Sequence, residues 1–363
     1  MNRNIVFLTE SMVGAGGVVR VITTWANYFS NKTKCKVVSV NSGESYFNLN
    51  ENIDFIIKPF LFKYKILALP INIFLILPIL NTAKNSYLIV NKSAYIEPIY
   101  FWRKLGFYKN IKLVYFSHGG NIEFEKFYMV RKSTKHRVKM IFDVFDKVVC
   151  LFKNTDSTPS VVDDKKISFI SNPCPIEINL KSLDIDNKVV TYIGRVTKEK
   201  GVNSLVNAWK LLSHEFSEWK LEIIGDGADK SDFEFFVNEN NIQNITFYPA
   251  TNNIIGYLDR ASISVLPSLF EGMPMSIIEA KARGCAIIST KTNGGKRLIS
   301  HNINGLLVEI GDDKELLSSL ELLMKDKILR DKLIIEGYKN MDSYLIENIA
   351  ENWSGVFDND NRI

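Results

Sequence analysis

The sequence predicts an α/β protein built from two open, doubly wound parallel sheets, one in each half of the chain. Three observations carry this. Short β-rich runs alternate with longer amphipathic stretches; the strand runs are continuously apolar, as in Ile5-Val-Phe-Leu8 and Lys147-Val-Val-Cys-Leu-Phe152; and the alternation pauses once, at Ser171-Asn-Pro-Cys-Pro175 and the polar stretch to Asn187. Alternation is the rhythm of βαβ units. Continuous apolarity is what a parallel strand needs when helices cover both faces of its sheet. At 363 residues the chain also exceeds what one core usually serves.

The elements follow in order. Strands are expected at 4–10, 35–41, 87–91, 112–118 and 147–152, with helices at 18–29 and 126–145. The most apolar run, 66–80, holds Pro70, Asn72 and Pro78 and is shorter than the roughly 20 residues that cross a bilayer. It reads as a buried or membrane-facing helix. After the pause, strands are expected at 189–194, 221–225, 245–248, 263–267, 286–290 and 305–310. Helices fall at 201–215, at 229–240, after Pro274, and from Asp312 onward, ending with 344–357. The domains are therefore 1–175 and 188–344. Two such sheets facing each other leave a central cleft at the carboxyl ends of their strands.

Composition excludes several classes. With 46% hydrophobic and 23% charged residues the chain is an ordinary globular one. Cys35, Cys150, Cys174 and Cys285 are far apart and form no CxxC pair, which argues against a disulfide framework or a zinc site and for a reduced, cytoplasmic protein. The first ten residues lead straight into a polar and glycine-rich stretch, leaving no room for the apolar core of a secretory signal. The charge is uneven: residues 1–180 hold 24 Lys and Arg against 13 Asp and Glu, the remainder 21 against 27. The first half should meet something anionic.

Three segments carry chemistry. Met12-Val-Gly-Ala-Gly-Gly-Val-Val-Arg20 joins the first strand to the first helix, where Gly16 and Gly17 let backbone approach a phosphate or sugar, or simply make a tight turn. The spacing is not GxGxxG, and no acidic residue ends the second strand, which disfavours a nicotinamide dinucleotide. Gly194-Arg-Val-Thr-Lys-Glu-Lys-Gly201 places Arg195 and Lys200 just before a helix. A planar guanidinium and a mobile ammonium suit a diphosphate, though the same charges also suit a solvated turn. Glu271-Gly-Met-Pro-Met-Ser-Ile-Ile-Glu279 puts one carboxylate after a strand and another on the following helix, with Pro274 fit for that helix's first turn. Ionised carboxylates accept hydrogen bonds from vicinal hydroxyls. The bland alternative is a solvated turn and a surface helix residue.

These segments, in this order and with Ile224-Gly-Asp-Gly227 between the last two, closely resemble the retaining glycosyltransferases of family 4, which have the GT-B fold. The resemblance spans nearly the whole chain: Gly16, Gly17 and Arg20 of the first loop, Asn172-Pro173, the G-R-x-x-x-x-K-G segment, the L-P-S-x-x-E-G-M-P run from Leu266 to Pro274, and the E-x7-E pair. It implies two Rossmann-like domains, with 345–363 returning to the first. By the resemblance Arg195 and Lys200 bind the donor diphosphate, and Glu279 the donor ribose. Glu271, Gly272, Met273, Pro274 and Met275 hold the hexose or its phosphate, and Gly16 and Gly17 close over the diphosphate. His118, in Phe-Ser-His-Gly-Gly, matches the histidine beside the transferred sugar, for orientation or transition-state stabilisation. The co-substrate is a nucleotide sugar, UDP-linked by expectation, and neither metal nor other cofactor is required, because cations and helix N-termini can stabilise a leaving diphosphate.

The sequence departs from the family at Thr292-Asn-Gly-Gly-Lys-Arg-Leu298, where Lys296 and Arg297 replace the usual Pro and Glu, and at Phe247-Tyr-Pro-Ala250, which lacks a glycine. Contacts to sugar and base are left open there. Lys126, Arg131, Lys132, Lys135, Arg137 and Lys139 crowd one segment beside Phe127, Tyr128 and Met129. As a solvated face this is unremarkable; with the basic first half and the run 66–80 it favours docking on the inner, anionic face of the cytoplasmic membrane, where a polyprenyl-diphosphate-linked saccharide would be the acceptor. Nucleic acid is not expected, since no recognised binding module is present. A sugar-nucleotide epimerase of the same fold would need catalytic carboxylates in the first domain. A silent sugar-binding scaffold would have lost the Arg195–Lys200 clamp.

Overall fold

In a computed structural model, residues 3–58, 68–118, 143–152, 164–183 and 187–357 are described. The chain divides into two compact units, one of Met1–Gly14, Val18–Pro173 and Ile346–Ile363, the other of Ala15–Gly17 and Cys174–Leu345. The basic segment 126–139 and most of the helix expected at 126–145 lie outside the described residues.

In the first unit, β1 (Asn4–Thr9), β2 (Cys35–Ser39), β3 (Asp54–Ile57), β4 (Ser86–Val90), β5 (Lys112–Ser117), β6 (Lys147–Cys150) and β7 (Ile167–Phe169) form a parallel sheet in the order β3-β2-β1-β4-β5-β6-β7. Ile5, Val6, Phe7 and Leu8 of β1 are all fully buried, as the central strand of a sheet covered on both faces must be. The order reverses direction between β1 and β4, so the loops leaving these strands splay apart and open a crevice at their carboxyl ends. Asn91 follows β4 there, and His118 follows neighbouring β5.

Helix α1 (Gly17–Ser30) buries Val19, Val21, Ile22, Trp25, Ala26 and Phe29, the face set by its apolar spacing. Helix α2 (Ala68–Thr82) covers much of the apolar run and contains Pro78; it buries Ile76, Ile79 and Leu80 but exposes Ile71 and Phe74. No described helix is long and apolar enough to cross a membrane. Helix α3 (Ile96–Lys104) follows it in the sheet's cover.

The second unit has β8 (Val189–Ile193), β9 (Lys220–Ile224), β10 (Ile245–Tyr248), β11 (Ile263–Leu266), β12 (Ala286–Thr290) and β13 (Leu306–Val308) in the parallel order β10-β9-β8-β11-β12-β13. Its reversal falls between β8 and β11, the strands that lead into the Arg195 and Glu271 segments. The helices are α4 (Val202–Leu212), α5 (Lys230–Glu239), α6 (Ile255–Arg260), α7 (Met275–Ala282), α8 (Asn293–Leu298), α9 (Asp313–Lys325) and α10 (Lys327–Tyr338). Asp312 caps α9 and Asp326 caps α10, each carboxylate accepting from first-turn N–H groups.

The single helix expected at 344–357 is instead a short α11 (Ile346–Ala350) followed by a 3-10 turn, Glu351–Gly355. The tightened turn accompanies one dominant contact. Trp353 is fully buried against Trp25, Phe29 and Phe116, with ring centroids 5.4, 5.5 and 5.8 Å away, and stacks on Phe357 at 5.3 Å. All four cysteines are buried thiols outside any disulfide.

Candidate functional site

The Arg195 loop is shaped by its neighbours before any ligand is considered. Gly194 N–H donates to Ile224 O and Val196 N–H to Asp226 O, at 3.1 and 3.0 Å, and the Tyr192 hydroxyl donates to Arg195 O at 2.6 Å. Gly225 has φ +152°, and a Cβ there would stand 1.9 Å from Gly194 O. Only glycine permits that approach, so the Gly225-Asp-Gly227 turn serves to seat the loop after β8. The Arg195 side chain is exposed and makes no hydrogen bond or ion pair among the described residues. It is a cation held on a fixed backbone and available to an anion.

Lys200 ends a 3-10 turn, Lys198–Lys200, and Gly201 follows with φ +71°; a Cβ at Gly201 would meet Pro267 O at 2.0 Å. This close approach brings the loops after β8 and β11 together, tied also by Leu269 N–H to Glu199 O at 3.0 Å. The result is an ion pair: Lys200 Nζ lies 2.8 Å from Glu271 Oε1, which also accepts from Ser268 Oγ at 2.7 Å. Both charged side chains are mostly shielded, 16% and 12% exposed. By their motifs Lys200 and Glu271 have separate tasks. In the structure they are one unit, with Ser268 as its third member, a residue visible in the L-P-S-x-x-E-G-M-P run but given no role.

Gly272, Met273, Pro274 and Met275 are buried. Pro274 stands at the N-cap of α7 rather than inside its first turn, and no side chain caps the helix. Uncapped first-turn N–H groups are a ready anion site, strengthened by the helix dipole. Glu279 lies on α7 just past its first turn and is 5% exposed. Lys281, two residues on, is buried and donates to Leu298 O at 2.6 Å, linking α7 to the end of α8; burial pushes its pKa down to about 8.

The divergent segment at Thr292 is helical, a turn that the two glycines hid from sequence reading. Thr292 Oγ1 accepts from Gly295 N–H, capping α8, and Gly294 N–H donates to Glu271 O at 3.0 Å. Lys296 and Arg297 are exposed on its last turn. Gly17 opens α1 with Gly16 just before it. His118 is part-buried and pairs with Asn91, a residue sequence reading did not single out; its only signal was its place directly after a strand. Burial pushes the His118 pKa down to about 3, so the ring is neutral near pH 7. Among the described residues no three His, Cys, Asp or Glu side chains are grouped to hold a metal ion.

Residues 176–340 match the family model for glycosyl transferases group 1. The chain is 30% identical over 217 residues to an uncharacterised glycosyltransferase of Haemophilus influenzae, covering 58% of this chain and 61% of that protein. It is 30% identical over 193 residues to the Campylobacter jejuni GalNAc-alpha-(1->4)-GalNAc-alpha-(1->3)-diNAcBac-PP-undecaprenol alpha-1,4-N-acetyl-D-galactosaminyltransferase, covering 52% of this chain and 54% of that one. The chain thus spans only part of these relatives' length. Among solved structures it superposes on a variant of S. aureus TarM in complex with fondaparinux, alpha-GlcNAc-glycerol and UDP, with a TM-score of 0.79 at 13% identity over 98% of this chain and 100% of that one. With the two doubly wound sheets, this likeness identifies the fold as GT-B, as the resemblance implied.

Proposed function

We propose that this GT-B protein is a retaining, metal-independent glycosyltransferase of family 4. It moves a hexose-type sugar from a nucleotide-diphosphate sugar, UDP-linked, to a saccharide acceptor carried on a polyprenyl diphosphate, in the making of a surface polysaccharide such as O-antigen or capsule. The observation that carries this reading is the pairing of Lys200 with Glu271 beside the exposed Arg195 at the switch point of the second sheet. Open α/β sheets bind ligands at that point, and cations there match a diphosphate.

In this reading Arg195 grips the diphosphate with its planar fork, Lys200 adds a second positive charge, and the uncapped start of α7 supplies N–H donors. These groups favour the leaving nucleotide diphosphate as negative charge develops on it, which is the electrostatic part of catalysis. Glu271 is held by Lys200 and Ser268 and offers its free lone pairs to hexose hydroxyls. Glu279 takes the ribose. Gly16 and Gly17 approach the diphosphate, His118 orients the transferred sugar, and the departing phosphate receives the acceptor's proton on the same face.

We also infer peripheral contact with an anionic membrane. Ile71 and Phe74 on α2, Phe101 on α3, and Leu105 and Phe107 just after it are all exposed. The stretch 68–112 that holds them has six Lys or Arg and one acidic residue, Glu97. Apolar side chains among cations suit a lipid headgroup layer.

Incubating the protein with labelled nucleotide sugars and polyprenyl-diphosphate-linked saccharides, and determining the anomeric configuration of the product, tests the reading. Transfer with the donor's configuration kept, undiminished by chelator, supports it; an inverted product or nucleotide release without an acceptor refutes it.

A further inference from the structure

His118 follows β5 directly and Asn91 follows β4, its neighbour in the sheet. Their side chains meet, with His118 Nε2 2.7 Å from Asn91 Oδ1. The amide cannot be turned round, because Asn91 Nδ2 donates to Leu8 O and Ile89 O, each at 3.2 Å. A flip would set Oδ1 against two carbonyl oxygens. An amide oxygen can only accept, so the proton in the contact belongs to His118 Nε2. The imidazole lies against the Phe116 ring, centroids 4.3 Å apart, and is neutral because burial disfavours its charged form. A neutral ring protonated on Nε2 has a bare lone pair on Nδ1. That atom is buried and has no hydrogen-bond partner among the described residues. Buried polar atoms are nearly always paired, and one left open calls for a partner.

We infer that Asn91 is a positioning residue that locks His118 in the Nε2–H tautomer, so that His118 Nδ1 acts as a neutral acceptor for a hydroxyl of the transferred sugar. The identity of the hydroxyl rests on the transferase reading; the tautomer does not. An imidazolium would present only donors and suit a phosphate oxygen, whereas this ring suits an O–H. Of the two roles open to His118, orientation of the sugar fits and cationic stabilisation does not. The charged groups at the adjoining strand ends do not alter this. Glu10 after β1 and Lys92 after β4 pair with one another at 2.6 Å, and the Tyr95 phenol is kept protonated by burial and by the Glu10 charge. A carboxylate in place of the Asn91 amide would instead draw the ring toward imidazolium.

Long-range proton–nitrogen NMR on the full chain, labelled with ¹⁵N at its four histidines, tests this without a ligand. His118 should read as the Nε2–H form and stay untitrated across about pH 5 to 8. In Asn91→Asp it should titrate within that range. Transfer from a nucleotide sugar should then fall about 10–100-fold near pH 6, as when the outer partner of a ligating histidine is lost, and recover as pH rises. An Nδ1–H ring, or one titrating near its ordinary value in the unsubstituted protein, overturns the proposal even if Asn91→Asp does not fold. A correct tautomer in a protein that transfers no sugar would overturn the transferase reading, and the hydroxyl with it, while leaving the hold of Asn91 on the ring in place.

Discussion

Lys200 Nζ and Glu271 Oε1 lie 2.8 Å apart, joining residues 71 positions distant in sequence across the two strands where the second sheet reverses. The contact holds the two side chains as one hydrogen-bonded unit in a mostly shielded site.

Replacing Lys200 by Ala removes one cation from the diphosphate site and leaves the Glu271 carboxylate short of a partner. Transfer should slow by about 10²–10³, the usual cost of losing one preorganised donor. Stability should fall by about 1–3 kcal/mol, the cost of an orphaned shielded acceptor. Adding Glu271→Gln should return part of that stability but none of the activity, as urea melts and steady-state rates on the single and double variants would register.

Gly225→Ala tests whether the turn after β9 seats Arg195. The new Cβ would collide with Gly194 O, so either the Arg195 loop shifts or the turn does. We expect about 1–3 kcal/mol of destabilisation from overpacking and a weakened affinity for nucleotide diphosphates. Titration calorimetry with UDP on folded Gly225→Ala giving the affinity of the unsubstituted protein would disprove the seating role.

The pH dependence of stability should carry the mark of His118. Its folded pKa, about 3, lies below the value of 6.5 of the unfolded chain. Between the two the unfolded state binds more protons, so this contribution is fully present above about pH 6.5 and is lost as pH falls toward 3. His118→Phe should flatten the acid limb of denaturant midpoints measured from about pH 4 to 8; an unchanged slope would count against a buried neutral ring.

The parallel strands were the most legible part of the sequence, because burial on both faces makes them continuous apolar runs. Strands at 245–248 and 286–290 stand where the pattern put them. The edge strands β3 and β7 escaped notice, since neither buries its whole length and their apolar runs are short. Helix α8 was hidden by Gly294 and Gly295, residues that weaken helix propensity but here allow its backbone to reach Glu271 O. Arg195, Lys200 and Glu271 could be named from their motifs; that Lys200 and Ser268 both meet Glu271 Oε1 depends on how the chain closes at Gly201, which local pattern does not encode. Asn91 was invisible for the same reason, its partner being 27 residues away on the next strand.

Trp353 anchors the end of the described chain in the first unit through rings on α1 and β5. Trp353→Ala should cost about 3–5 kcal/mol, as for other large-to-small changes at fully buried aromatic sites. Thermal melts should show the loss; a shift of only a degree or two would mean that the terminal segment contributes little.

Phe74→Ser combined with Phe107→Ser should reduce binding to anionic vesicles while leaving soluble-acceptor transfer intact. Removing Lys104 and Lys109 should weaken it further at low salt, by about 1 kcal/mol per charge. Cosedimentation with phosphatidylserine and phosphatidylcholine vesicles distinguishes the outcomes. Equal binding to both lipids, or none to either, would remove the membrane from the account.

The most direct test is acceptor-dependent transfer from a labelled nucleotide sugar by the unsubstituted protein and by Arg195→Ala and Lys200→Ala. Transfer should require the acceptor and fall about 10²–10³ in each variant. Transfer unaffected by either substitution, or nucleotide release indifferent to the acceptor, would contradict the proposed function.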